Sequence, residues 1–258
     1  MFDDLRERNL KEEYKNRKIA DEKSFYDIWR REIVQHKDLL SRALHGGLVS
    51  DCFSWVFLSG YQSAISHTFS EVDKDDWASF AVSEDKTGEK PGLSWVKSNN
   101  VFVLDGYKTW VAGVEQTRQL LFKSGRGEEA LYFCIDRQTE GLSFERKEKG
   151  FLPEMSEGIA FFDNVRLKSE KLVSHDKVHL FGKCEILYIY LSFCGMVIGC
   201  SNDKAMSDQC WGLAKTIGTS LQNNDFSKIK SIDSEIQEIR LKGKRSINGV
   251  QGWESDQK

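Results

Sequence analysis

The sequence predicts an α+β chain in three parts: a helical lead over 1–76, a central antiparallel β-domain over 77–178 and a partial C-terminal helical bundle over 179–258. Two observations carry this. Before residue 70 and after residue 183, apolar residues recur every three or four positions, the period of a helix with a buried face. Between Trp77 and Val178 the apolar runs are short, separated by loops such as Glu84 to Gly92 and Ser124 to Gly127, and show no helical period. Strands that follow one another without intervening helices pair antiparallel, as a sheet pair or a barrel-like body.

Taken in order, residues 1–23 are dense in Asp, Glu, Lys and Arg, with apolar positions only at Phe2, Leu5, Leu10, Tyr14 and Ile19, the pattern of a solvated helix. Ser24 is placed to cap a helix on which Phe25, Ile28, Trp29, Ile33 and His36 fall. Gly46-Gly47 are expected to break the chain before a second helix, from about Leu48 to Phe69, buried on one face or nearly all round. In the β-domain, Val101 to Leu104 reads as a strand, Asp105-Gly106 as a two-residue hairpin turn, and Thr109 to Val111 as the returning strand. Past Val178 the pattern predicts one apolar helix from near Lys183 to Gln222 and another from Phe226 to Ile247. A tail follows from Asn248, on which Trp253 is the one residue suited to docking.

Composition narrows the function. The 258 residues are 40% apolar and 30% charged, ordinary for a soluble globular protein, and the formal net charge of -3 carries no electrostatic footprint for nucleic acid or an anionic membrane. Two uncharged runs, Cys52 to Ser70 and Ile186 to Asn202, read as buried helices. The first is rich in hydroxyls, and the second falls short of the ~20 residues of a span. Six cysteines without a C-x-x-C pair match reduced core thiols of a cytoplasmic protein, and the charged N-terminus does not look like a leader. His175 and His179 have the spacing of a helical metal pair but no third ligand nearby, so no metal is expected. Nucleophile-elbow, Walker, H-E-x-x-H and Rossmann motifs are absent.

Three blocks carry more. Phe80-Ala-Val-Ser-Glu84, then Leu104-Asp-Gly-Tyr-Lys-Thr-Trp-Val-Ala112, then Gly158-Ile-Ala-Phe-Phe-Asp-Asn-Val-Arg-Leu167 follow one another over about a third of the chain. In this order they resemble the middle β-domain of the acyl-CoA dehydrogenase-like flavoproteins, where the blocks read roughly F-A-L-T-E-P, L-N-G-x-K-x-W-I-[ST] and F-D-x-V-R-V-P. The Gly46-Gly47 and Trp55 to Ala64 segment is similar to the helical lead-in of a divergent branch of that family. A typical member has a longer lead-in and a fuller C-terminal bundle, so this chain is expected to be a shortened member.

The resemblance implies an FAD site on the β-domain. Carried over residue by residue, it assigns Phe80, Val82 and Ser83 to the flavin from the first block, and Trp110 and Ala112 from the second. It implies dehydrogenation across the CH–CH bond of an acyl thioester, with a carboxylate taking the α-proton; the alignable helix from Lys183 to Gly199 offers Glu185. It also implies a homodimer or higher homo-oligomer. The chain departs from the family at Ala112, which lacks the expected hydroxyl, and at Asp85-Lys-Thr-Gly-Glu-Lys90, where a phosphate-side loop keeps only its glycine, Gly88, and carries Glu89 in place of Ser. Two other readings follow from these departures: a non-catalytic partner subunit or binding module, and a flavin monooxygenase of the same architecture.

Overall fold

The computed structural model describes residues 1–10, 13–14, 17–87 and 89–243. They fall into two compact units, one helical, from residues 1–67 and from 181 onward, and one built of strands, from 68 to 180. Gly88, the tail from Asn248 and Trp253 lie outside the described residues.

The helical unit begins with α1 (Asp3–Leu10). Its charged sequence predicts a solvated helix, but Phe2 and Leu5 are buried and Arg6 reaches Asp208 at 3.7 Å and the ring of Trp211 at 5.9 Å. A few apolar side chains suffice to dock it. Helix α2 (Glu22–Ile28) is capped by Asp21, whose carboxylate accepts from the Ser24 amide, so the cap lies three residues before the serine expected to supply it. A π-helical turn, Trp29–Ile33, continues the helix and turns both Trp29 and Ile33 inward.

Helix α3 (Leu39–Val49) runs straight through Gly46-Gly47, and the chain breaks only at Ser50 before α4 (Phe53–Thr68). The two glycines serve packing instead of termination. A Cβ on Gly47 would collide with the carbonyl oxygen of Ser192, and one on Gly195 with that of Leu44, so the backbones of α3 and α5 (His175–Cys200) lie in direct contact. Gly60 does the same for α4, where a Cβ would sit 2.5 Å from the Cα of Ile189. The long C-terminal helix expected from the sequence is two: Ser201 and Asn202 interrupt it, and Asp203 caps α6 (Lys204–Gln222) by accepting from the amides of Ala205 and Met206. Helix α7 (Ile229–Gly243) buries Ile232, Ile236 and Ile239 at helical spacing. Helix α5 is long and apolar enough to cross a membrane by length and composition, yet 67% of its most apolar window is buried within the protein.

The second unit holds two four-stranded sheets. One has the order β1 (Ala78–Ala81), β4 (Gln119–Ser124), β5 (Leu131–Asp136), β8 (Leu172–Val173), with β1 and β4 parallel and the rest antiparallel. The other is wholly antiparallel, in the order β2 (Ser94–Ser98), β3 (Val101–Ala112), β7 (Glu157–Lys168), β6 (Leu142–Arg146). Side chains from both sheets form one core: Phe122 stacks on Phe133 at 5.4 Å and meets Phe162 at 4.7 Å, with Leu104, Val111, Leu120 and Val165 around them.

The expected hairpin at Asp105-Gly106 is not a turn. Strand β3 continues through it for 12 residues, and the two-residue turn lies at Asn99-Asn100, where Ser98 pairs with Val101 and Asn99 adopts φ 55°. Asp105-Gly106 instead faces a bulge in β7. Gly106 takes φ +127°, where a Cβ would meet the carbonyl oxygen of Gly92 at 2.6 Å, and Asp105 accepts from the Asn164 amide at 2.8 Å.

Candidate functional site

Strand β1 is buried along its whole length, and the chain then surfaces abruptly: Val82 is 43% exposed and Ser83 is exposed as well. This three-residue extension, Val82 to Glu84, is held by β3. The β3–β7 register advances three residues on β3 from Lys108 to Val111 against two on β7, which makes Thr109-Trp110 a β-bulge. The bulge turns the Thr109 amide away from β7 and lets it donate to the Ser83 carbonyl at 3.0 Å. The Ser83 backbone is thereby bonded to Thr109, the residue before half-buried Trp110, far away in sequence.

The other assigned residues fall differently. The Phe80 ring is turned inward against Phe69 at 5.5 Å and Tyr132 at 6.1 Å, so only its backbone belongs to the edge. Ala112 is fully enclosed; its amide donates to the Ser79 hydroxyl at 3.0 Å and its carbonyl accepts from Thr117 at 3.1 Å. Both its amide and its carbonyl are thus bonded within the protein. The Asp85 to Lys90 loop is likewise self-capped: the Asp85 carboxylate accepts from the amides of Thr87 and Lys90, each at 2.9 Å, and these bonds lower its pKa. The Lys90 ammonium lies over the rings of Tyr107 and Phe161 at 5.7 and 5.6 Å, which ties it to the sheet.

Sequence reasoning missed Lys108. It is fully buried, with its ammonium 2.7 Å from the Glu84 carboxylate and 3.5 Å from the Val82 carbonyl. Burial lowers its pKa, and the bond and charge of Glu84 oppose that shift. The signal was in the strand's alternation: Lys108 shares the inward phase of Phe102 and Leu104, so an ammonium had to be housed on the core side of β3.

Glu185 belongs to the helical unit. It sits three turns into α5, which begins at His175, and so does not lie at a helix start where the macrodipole would favour it. Burial alone raises its pKa to about 7. One turn on, Tyr188 is buried and its hydroxyl is 3.0 Å from His67 Nδ1. The His175 ring meets the Ala130 carbonyl at 2.9 Å, and His179 is exposed. A cavity of about 370 Å³ lined by Glu71, Gln119, Cys134, Asp136, Glu170 and Lys171 lies at the Ala78 end of β1, since Gln119 pairs with Ala78; Val82 and Ser83 leave the other end.

An isoalloxazine presents an apolar face and a polar edge. Val82 and Ser83 are exposed beside the Thr109-Trp110 bulge, at the end of an otherwise buried strand. The closed positions are Ala112 and the Asp85 loop.

No protein-family model matches the chain, and no curated protein matches it in sequence. Solved structures do. An FAD-dependent dehydrogenase superposes with a TM-score of 0.55 at 14% identity, over 85% of this chain and 76% of its own. A prolyl acyl carrier protein oxidase gives 0.56 at 13%, over 88% and 74%. Butyryl-CoA dehydrogenase from Megasphaera elsdenii gives 0.55 at 13%, over 86% and 68%. The chain has the fold of the acyl-CoA dehydrogenase-like flavoproteins.

Proposed function

We propose that the chain is an FAD-binding oxidoreductase that acts on the CH–CH group of an acyl thioester. The observation that carries this reading is the exposed Val82-Ser83 edge pinned beside the Thr109-Trp110 bulge, on a fold shared with an FAD-dependent dehydrogenase and a butyryl-CoA dehydrogenase. Bound flavin supplies the hydride acceptor that no side chain provides. Val82 and the Trp110 indole would give its ring system apolar contact, and the Ser83 hydroxyl would bond its polar rim. Glu185 takes the α-proton onto its carboxylate; a pKa near 7 places that carboxylate in the range where a base is both deprotonated and strong enough. The protein works in the cytoplasm as a homodimer or higher homo-oligomer.

A second reading has its own support. Enclosed Ala112 and the loop amides occupied by Asp85 remove two places where a ligand would be gripped, which suits a non-catalytic partner subunit. The two readings separate in one experiment. Protein loaded with FAD is mixed anaerobically with saturated acyl-CoA esters of graded chain length, and the visible flavin band is followed. Bleaching by one of them, abolished in Glu185→Gln, supports the dehydrogenase. A protein that keeps its flavin yet stays yellow with every ester supports the partner subunit.

A further inference from the structure

We infer that Lys108 is a positioning residue for the flavin-facing edge, acting through Glu84 and the Val82 carbonyl; the inference rests on the flavin reading above. The edge has no strand ladder of its own. Among the described residues strand β1 pairs only with β4, and that pairing ends at Ala81 with Phe122. Past that point three consecutive residues are each held by β3: the Val82 carbonyl by the Lys108 ammonium at 3.5 Å, the Ser83 carbonyl by the Thr109 amide at 3.0 Å, and the Glu84 carboxylate by Lys108 at 2.7 Å. One side chain therefore grips the residues on both sides of Ser83.

A fully buried ammonium is costly, and an apolar residue of similar length would pack there without that cost. What Lys108 provides that an apolar residue does not is a fixed point for two groups on another segment. The surroundings are shaped to the same end. Gly92 leaves room for the carboxylate, since a Cβ there would stand 2.5 Å from Glu84 Oε2. Arg126 approaches the same oxygen at 3.8 Å but is 87% exposed, so it adds little hold. Val82 and Ser83, facing outward, are then presented in one conformation before any ligand arrives, which lowers the ordering cost of binding.

Two perturbations separate positioning from stability. Glu84→Gln/Lys108→Met removes the ion pair without leaving a lone buried charge, and Gly92→Ala pushes the carboxylate aside without changing any charge. Each is purified with the wild-type protein, and its thermal midpoint and its dissociation constant for FAD, from flavin fluorescence, are measured, together with the shape of the bound visible band. The expected result is a double variant that melts near the wild type yet binds FAD about tenfold or more weakly, the equivalent of roughly one lost positioning bond, with Gly92→Ala weakened in the same direction and the visible band altered in both. Wild-type affinity and an unchanged band in the double variant would overturn the positioning role. Wild-type protein that binds no FAD would overturn the flavin reading instead.

Discussion

Replacing Glu185 with Gln should stabilise the protein, and by more as the pH rises. The carboxyl has an ordinary pKa of 4.5 and burial raises it to about 7 in the folded chain. Below pH 4.5 both states hold the proton and the residue is neutral in its effect. Between 4.5 and 7 the unfolded chain releases a proton that the folded chain keeps, so stability falls as pH rises through that window. At ~1.4 kcal/mol per pH unit the full window is worth at most ~3 kcal/mol, and partial exposure of the side chain lowers this to ~1–3 kcal/mol at pH 8. Glutamine keeps the shape and has no proton to release. The assay is urea denaturation of both proteins from pH 4 to pH 8, followed by far-ultraviolet circular dichroism, which reports on the helical unit. The variant should match the wild type at the acid end and exceed it at the alkaline end. A difference that stays flat with pH, or a wild type that is the more stable at pH 8, would refute the claim that Glu185 is held in a desolvated place. The same substitution should abolish acyl-CoA turnover, a stability gain bought with activity.

Other perturbations test other parts of the account. His45 is fully buried beside His36, with its pKa lowered to about 3 by burial, so the folded state refuses a proton that the unfolded chain takes up below about 6.5. Stability should fall by up to ~1.4 kcal/mol per pH unit below that point, and His45→Gln should flatten the acid limb of a urea midpoint against pH profile. Gly47→Ala forces a methyl into the Ser192 carbonyl and should lower stability by ~1–3 kcal/mol, seen as a drop in the thermal midpoint; an unchanged midpoint would contradict the backbone contact of α3 and α5. Phe122→Ala removes a ring stacked on Phe133 and packed on Phe162 and should lose ~3–5 kcal/mol in chemical denaturation.

The fold class and the placement of strands and helices were legible because period and burial share a cause: Ile232, Ile236 and Ile239 on α7 are spaced as they are buried. Punctuation was read less well. Gly46-Gly47 and Asp105-Gly106 both look like breaks, yet one pair admits a neighbouring helix backbone and the other faces a bulge. A glycine signals unusual backbone or unusual proximity, and the sequence alone does not say which. The true interruptions, at Asn99-Asn100 and before Asp203, use side chains that bond backbone or tolerate positive φ, a quieter signal. Ser83 and Trp110 were singled out only through the resemblance, and the Thr109 amide that bonds the Ser83 carbonyl is freed by a bulge that depends on register between strands, which the sequence does not show. The closure of Ala112 by Ser79 and Thr117 was out of reach for the same reason, since those partners are set by tertiary contact.

The most direct measurement is the visible absorbance of the purified protein after incubation with FAD and desalting, for the wild type and for Trp110→Ala and Ser83→Ala. Flavin bands retained by the wild type and weakened in both variants are what the Val82–Ser83 and Thr109–Trp110 edge predicts. A wild-type protein that emerges colourless from saturating FAD would contradict it.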